Sequence, residues 1–396
     1  MIVAIVVNRR RNYSIWGRSH SRTSYINEAH SPDPLLANRD DDEQSTSSSY
    51  LYLDSKHAGK RRSCLGLALY TPNSSRFADN LHSRILQKFP FIVEMFYWAL
   101  NYVAYRFTKD VATMLYHGGN EVTQLAQDHG INILDFEHHS IVSPLFLEEA
   151  SVQKFFIDNH QSILTFLNRI YSLVHIPGTV AFLSWYYYAA PNHTTFAVAR
   201  RTMTLGNFAA FIIFCFYPCM PPRLLPKSFG FQDTVRQDHA ESVWVGDGKN
   251  VNQLAAMPSL HFTYAFVIGT TFLYHSGLIP HTFQRSLRMA QRQRSATKAI
   301  INQSIWAILA IAYPVLVLMV IVVTANHYWL DAVVATFSVS LSYLCNKVWL
   351  GLLPCEDLLL WALRMEKPVP TTGRQWCGNA AVEARGRDRE ENAGFV

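Results

Sequence analysis

Carboxylates are nearly absent from the most apolar part of this sequence: between Val251 and Leu350 only Asp331 remains. Charge is sparse throughout, at 16% of 396 residues against 49% hydrophobic. That balance suits a polytopic membrane protein with polar ends better than a globular enzyme. The formal net charge of +6 is modest and comes from short basic runs. It therefore reads as membrane orientation, and nucleic acid is not an expected partner. Paired cysteine spacing is missing too. Cys64, Cys215, Cys219, Cys345, Cys355 and Cys377 show no zinc-like pattern, and Cys215 and Cys219 fall in an apolar run as packing residues. The opening MIVAIVV is too short to span a bilayer and lacks the flank and cleavage site of a signal peptide, so it stays unassigned.

What is present are apolar blocks between polar ends. Asn8 to Arg62 is rich in Ser, Asp, Asn and Arg and reads as disordered. Six stretches approach the roughly 20 residues a bilayer needs. They are Pro90–Phe107, Ile163–Ala190 (interrupted by Pro177-Gly178), Phe196–Tyr217, His261–Ile279, Ile301–Thr324 and Tyr328–Leu350. The expected fold is an all-α, six-span membrane bundle over residues 86–353, with cytosolic tails at 1–85 and 354–396. Basic groups before the first span, at Arg200–Arg201, at Arg285–Lys298 and beyond Lys367 all fall on the cytosolic side of that topology. The acidic stretch from Asp110 to Asp158 falls on the other side, as a solvated loop in which His129, His138 and His139 match no zinc pattern.

The same topology gathers Arg223, His261, His327 and Asp331 at four span ends on one face. An acid at the edge of an apolar run is costly and points by default to function. His327 and Asp331 are i and i+4, so on a helix they share a face. A carboxylate there takes the proton of one imidazole nitrogen and leaves the other nitrogen's lone pair outward, as a nucleophile needs. His261 can protonate a leaving alkoxide. Arg223 can bind phosphate oxygens with its planar fork. Ser259 is either a phosphate contact at a helix start or that helix's cap. Asp233 reads as a turn residue.

"MPPRLL", "AAMPSLH" and "TANHYWLD" together resemble the signatures of the type 2 phosphatidate phosphatase superfamily, and most of all its fungal inositol phosphorylceramide synthase-like branch. The likeness covers roughly Phe91 to Leu350. It implies a phosphohistidine at His327, oriented by Asp331, with His261 as acid and Arg223 on phosphate. No cofactor and no metal is implied. The substrates it implies are phosphatidylinositol and ceramide, or a phosphatidate-like lipid, handled in a bilayer of the Golgi or endoplasmic reticulum with the site lumenal. Departures are visible. Leu260 replaces a Gly, Val320 and Ile321 stand at the Ser and Arg positions, Leu224 follows Arg223 in place of Pro, and Phe216 holds the place of a Lys. Lys227, Arg236 or Lys249 are the candidate replacement cations. Beside transferase and phosphatase stand two readings of other classes: a membrane haem or metal protein ligated by His261 and His327, and a catalytically inactive scaffold.

Overall fold

The computed structural model describes residues 2–10, 13–16, 60–64, 67–115, 120–141, 143–234, 253–278, 296–368 and 370–374. Arg236, Lys249, most of the polar stretch from Asn8 to Arg62, Arg285–Arg294 and the tail from residue 375 lie outside them. The chain divides into two compact units. The first comprises Met1–Trp98, Ser184–Phe196 and Lys347–Val396; the second comprises Ala99–Leu183 and Ala197–Asn346.

Helices dominate. In chain order they are α1 (Ile2–Val7), α2 (Leu81–Lys88), α3 (Phe91–Leu115), α4 (Asn120–His139), α5 (Glu149–Asn159), α6 (Gln161–Leu173), α7 (Thr179–Ala189), α8 (His193–Phe216), α9 (Leu260–Ser276), α10 (Ala296–Val323), α11 (Trp329–Leu344) and α12 (Leu353–Ala362). Among the described residues the strands are β1 (Lys60–Cys64) and β2 (Leu67–Thr71), an antiparallel pair with Lys60 opposite Thr71 and Cys64 opposite Leu67. Thr71 at its end donates to the buried Asp357 of α12 at 3.0 Å. Both residues belong to the first unit, so the stretch expected to be a polar tail contributes ordered structure there.

The six-span expectation is corrected. Helices form at every one of the six places, but among the described residues only one, Ile300–Val323, is long and apolar enough by itself to cross a membrane. A second span results only if Trp329–Leu344 and Asn346–Ala362 are taken together across their break. The reasons are local. α3 carries Glu94, Arg106, Lys109 and Asp110, and α8 carries Arg200 and Arg201. α9 and α11, with 17 and 16 residues, fall short of the roughly 20 a bilayer core needs. The second expected span is three pieces, α6 and α7 flanking a π-helical turn that contains Pro177. The multi-pass, lumen-facing localisation rested on that span count and falls with it.

In the second unit α9 packs directly on α10. Pro314 inside α10 frees the carbonyl of Ala310 four residues back. Gly269 lets α9 approach there: a Cβ on it would lie 2.7 Å from the Ala310 oxygen and 2.5 Å from Pro314 Cγ. Phe262, Ala265, Val317, Ile321, Ala332 and Ala335 fill the seam among α9, α10 and α11. Leu164 and Leu167 of α6 close over Val320 and Val323. The opposite side of α10 is uncovered. Only 28% of its apolar window is buried, and Ile301, Ile305, Ile308 and Ile311 are exposed. A helix apolar on all sides and left this bare fits a bilayer or another apolar surface.

The expected solvated acidic loop is also corrected. Much of it forms α4 and α5, and Glu137 and Glu149 are wholly buried.

Candidate active site

The site grows from the turn between α10 and α11. α10 ends at Val323, and the N–H groups of both Asn326 and His327 return to the carbonyl of Ile321, at 3.0 and 3.2 Å. Ala325 turns through the left-handed region at φ 51°, where a Cβ is disfavoured. Its surroundings hold it there: it is fully buried, and its carbonyl accepts the Arg223 N–H at 2.9 Å. The turn thus brings Arg223, from a 3-10 turn at Pro222–Leu224, to the loop that carries His327.

His327 and Asp331 are buried and joined, Nδ1 to Oδ2, at 3.1 Å. Nδ1 also lies 2.8 Å from the carbonyl oxygen of Ala256. A carbonyl can only accept, so Nδ1 must carry the proton. Nε2 then keeps its lone pair, and it makes no hydrogen bond among the described residues. Asp331 Oδ2 also accepts the N–H of Tyr328 at 3.0 Å, while Oδ1 is buried without a partner. Tyr328, fully buried, anchors the same turn by donating to the Met220 carbonyl at 2.7 Å. Gly130 of α4 makes room for that bond, since a Cβ there would sit 2.6 Å from the Tyr328 hydroxyl.

His261, in the first turn of α9, meets His327 edge to face, with ring centroids 5.6 Å apart. Its other side stacks on Tyr171 of α6 at 4.1 Å. The two histidine rings are in edge-to-face contact and do not face each other across a gap. Desolvation pushes the Tyr171 hydroxyl up to about 12, against the pull of the nearby Arg223 charge. Tyr171 therefore stays a neutral donor beside the histidine.

Arg223 is half-buried and its Nη1 is held by both oxygens of Asp233, at 3.3 and 3.2 Å. Its Nε is buried with no partner. Asp233 is thus the arginine's counter-ion and not simply a turn residue. Ser259 is the N-cap of α9, its Oγ accepting the Phe262 N–H at 3.3 Å. Its side chain is fully buried in that role.

Two of the departures from the signatures have a structural reason. Val320 and Ile321 are buried in the apolar clusters under α6 and α9, so no phosphate contact can come from those positions. Phe216 is exposed on α8, and Lys227 is exposed after Arg223. Tyr171 belongs to the site without any sequence signal, and Ala256, although inside the AAMPSLH stretch, gives no sign in the sequence that its carbonyl faces His327. Packing brings Tyr171 to His261 and the Ala256 carbonyl to His327, 71 residues away.

Beside this site, Glu137 Oε1 accepts the Leu330 N–H at 2.6 Å. Burial, then the hydrogen bond and charge of Glu149, push Glu137 up to about 10.

Residues 142–283 match the family model of the PAP2 superfamily. The match covers about a third of the chain, from just before α5 to just beyond α9. The segment includes Arg223, Asp233, Ser259 and His261; His327 and Asp331 lie beyond it. No curated protein and no solved structure matches the chain.

Proposed function

We propose, from the PAP2 superfamily membership of residues 142–283 and the His327 arrangement beside them, that this protein transfers a phosphoryl-type group from a lipid phosphate ester through a phosphohistidine. The observation that carries the reading is the double hold on His327 Nδ1, by Ala256 and Asp331, which turns Nε2 into the free nucleophile.

In the first half-reaction His327 Nε2 attacks phosphorus, an N–P bond forms and the ester P–O bond breaks. His261 gives its proton to the departing alkoxide. The Asp331 carboxylate faces the positive charge that the phosphorylated ring acquires. Arg223 binds the equatorial oxygens through Nε, with Asp233 yielding part of its hold. In the second half-reaction neutral His261 takes the proton from an incoming hydroxyl, which attacks phosphorus and releases His327. An acceptor alcohol makes the enzyme a transferase; water makes it a phosphatase. The likeness to the inositol phosphorylceramide synthase-like branch favours transfer of phosphoinositol from phosphatidylinositol to ceramide. An amphiphilic substrate also suits a site at the end of α10, whose exposed face is apolar.

The test is incubation of wild type and His327→Ala with fluorescent ceramide plus phosphatidylinositol, and separately with labelled phosphatidate. An inositol-bearing sphingolipid formed only by wild type supports the transferase. Free phosphate alone assigns the phosphatase. Wild-type rates from His327→Ala on either substrate would overturn the phosphohistidine.

A further inference from the structure

α4 and α5 carry a cluster that phosphoryl transfer does not use. One donor atom each from Glu137, His138 and Glu149 lies within 4.8 Å of the other two. Both carboxylates are wholly buried, while the His138 side chain is 24% exposed and opens the cluster to solvent. His138 Nε2 meets Glu149 Oε2 at 2.8 Å, and Glu137 Oε1 is taken by the Leu330 N–H. That leaves Glu137 Oε2 and Glu149 Oε1, both buried, with no partner outside the two carboxyl groups themselves. Two carboxyl groups buried side by side have only a shared proton to offset their charge, and a cation in its place would satisfy both.

We propose that Glu137, His138 and Glu149 form a binding site for a divalent first-row transition ion of the zinc class. Two carboxylates and a neutral imidazole neutralise a doubly charged ion. A nitrogen donor among oxygens selects zinc or manganese over calcium or magnesium, which prefer oxygen alone. Three protein ligands are enough when water takes a fourth position, here on the exposed His138 side. Ligand bonds of about 2.0–2.2 Å require side-chain adjustment around an ion, drawing in donors that lie up to 4.8 Å apart and opening the 2.8 Å His138–Glu149 contact. The backbone hydrogen bond from Leu330 to Glu137 orients that ligand, as partners behind metal ligands commonly do. The ion would tie α4 to α5 and, through Leu330, to the first turn of α11. It would act as a clamp beside the histidine site, and the inference does not depend on what that site does. Spacing along the chain hides the cluster, because Glu149 comes from a separate helix.

The experiment uses the purified full-length protein, depleted with chelator and titrated with Zn²⁺, with bound metal counted by plasma mass spectrometry. The variants are Glu149→Gln and His138→Ala. The control is His139→Ala, whose exposed side chain pairs, among the described residues, with Asp135 on the same helix. One equivalent bound by wild type and control, and weakened by more than about 100-fold in both variants, is expected, since even partners behind a ligand cost about 10- to 100-fold. Absence of Zn²⁺ binding by wild type, or affinity unchanged in the variants, overturns the site. Should a variant fail to fold, thermal unfolding of wild type decides. A melting temperature lowered by chelator and restored by Zn²⁺ supports the clamp, and an unmoved one overturns it.

Discussion

Asp331→Asn separates two things a carboxylate can do for a nucleophilic histidine. The Nδ1 proton of His327 has two acceptors, the Ala256 oxygen at 2.8 Å and Asp331 Oδ2 at 3.1 Å. Where an aspartate alone holds the tautomer, its replacement by asparagine costs about 10⁴ in kcat. Here the carbonyl keeps the proton on Nδ1 without the carboxylate, so that part of the loss is spared. What remains is the charge facing the phosphorylated imidazolium, a charged hydrogen bond of about 1.5–3 kcal/mol. At about 1.4 kcal/mol per tenfold, kcat falls by roughly 10- to 150-fold. The asparagine amide oxygen still accepts the Tyr328 N–H, so folding is retained, which circular dichroism would check. The assay is rapid-quench trapping of the acid-labile phosphoenzyme beside steady-state turnover of a short-chain phosphatidate. A loss of about 10⁴ or more in a folded variant would refute the role given to the Ala256 carbonyl. A loss under about threefold, less than about 0.7 kcal/mol, would refute a cationic phosphohistidine.

Three further outcomes follow from the same geometry. His261→Gln should cut turnover of an alkyl phosphate ester by about 10²–10⁴, the usual weight of a general acid, yet spare a p-nitrophenyl ester, whose leaving group departs unprotonated; equal losses on both would remove His261 from the acid role. Asp233→Asn releases Arg223 from a partly exposed ion pair and should tighten inhibition by inorganic phosphate about two- to fivefold, in line with the worth of such pairs. An unchanged inhibition constant would mean Arg223 does not bind phosphate. Gly130→Ala places a Cβ 2.6 Å from the Tyr328 hydroxyl and 2.9 Å from the Met220 oxygen, so urea unfolding should show a loss of about 1–3 kcal/mol. Wild-type stability there would show that α4 can shift without disturbing the turn.

The positions of the helices were legible because apolar periodicity is a local signal, and each of the six apolar stretches is helical. Their status as spans was not. Length and charge within each helix decide that, and the charges interrupting α3 and α8 count against a span even where the basic-loop pattern favours one. The net acidity of α4 and α5 points to a solvated loop, because carboxylates are ordinarily exposed. Glu137 and Glu149 are buried instead, one accepting a backbone N–H of α11's first turn and the other bonded to His138.

By itself the sequence determined the local facts: an i, i+4 histidine–aspartate pair at a helix start, a second histidine just after a serine that caps α9, and an arginine in a proline-rich turn. These depend on chain spacing and on backbone chemistry within a few residues. The tertiary structure decided the rest. It chose Ala256 as the second acceptor for His327, Tyr171 as the platform for His261, Asp233 as the counter-ion of Arg223, and Glu149 as the neighbour of Glu137. Each of those pairings joins separate elements, or a loop to a turn, and depends on close approaches such as Gly269 on Pro314 and Gly130 under Tyr328. Packing selects such partners by volume and by unmet hydrogen-bond demand, quantities that exist only once the helices have met.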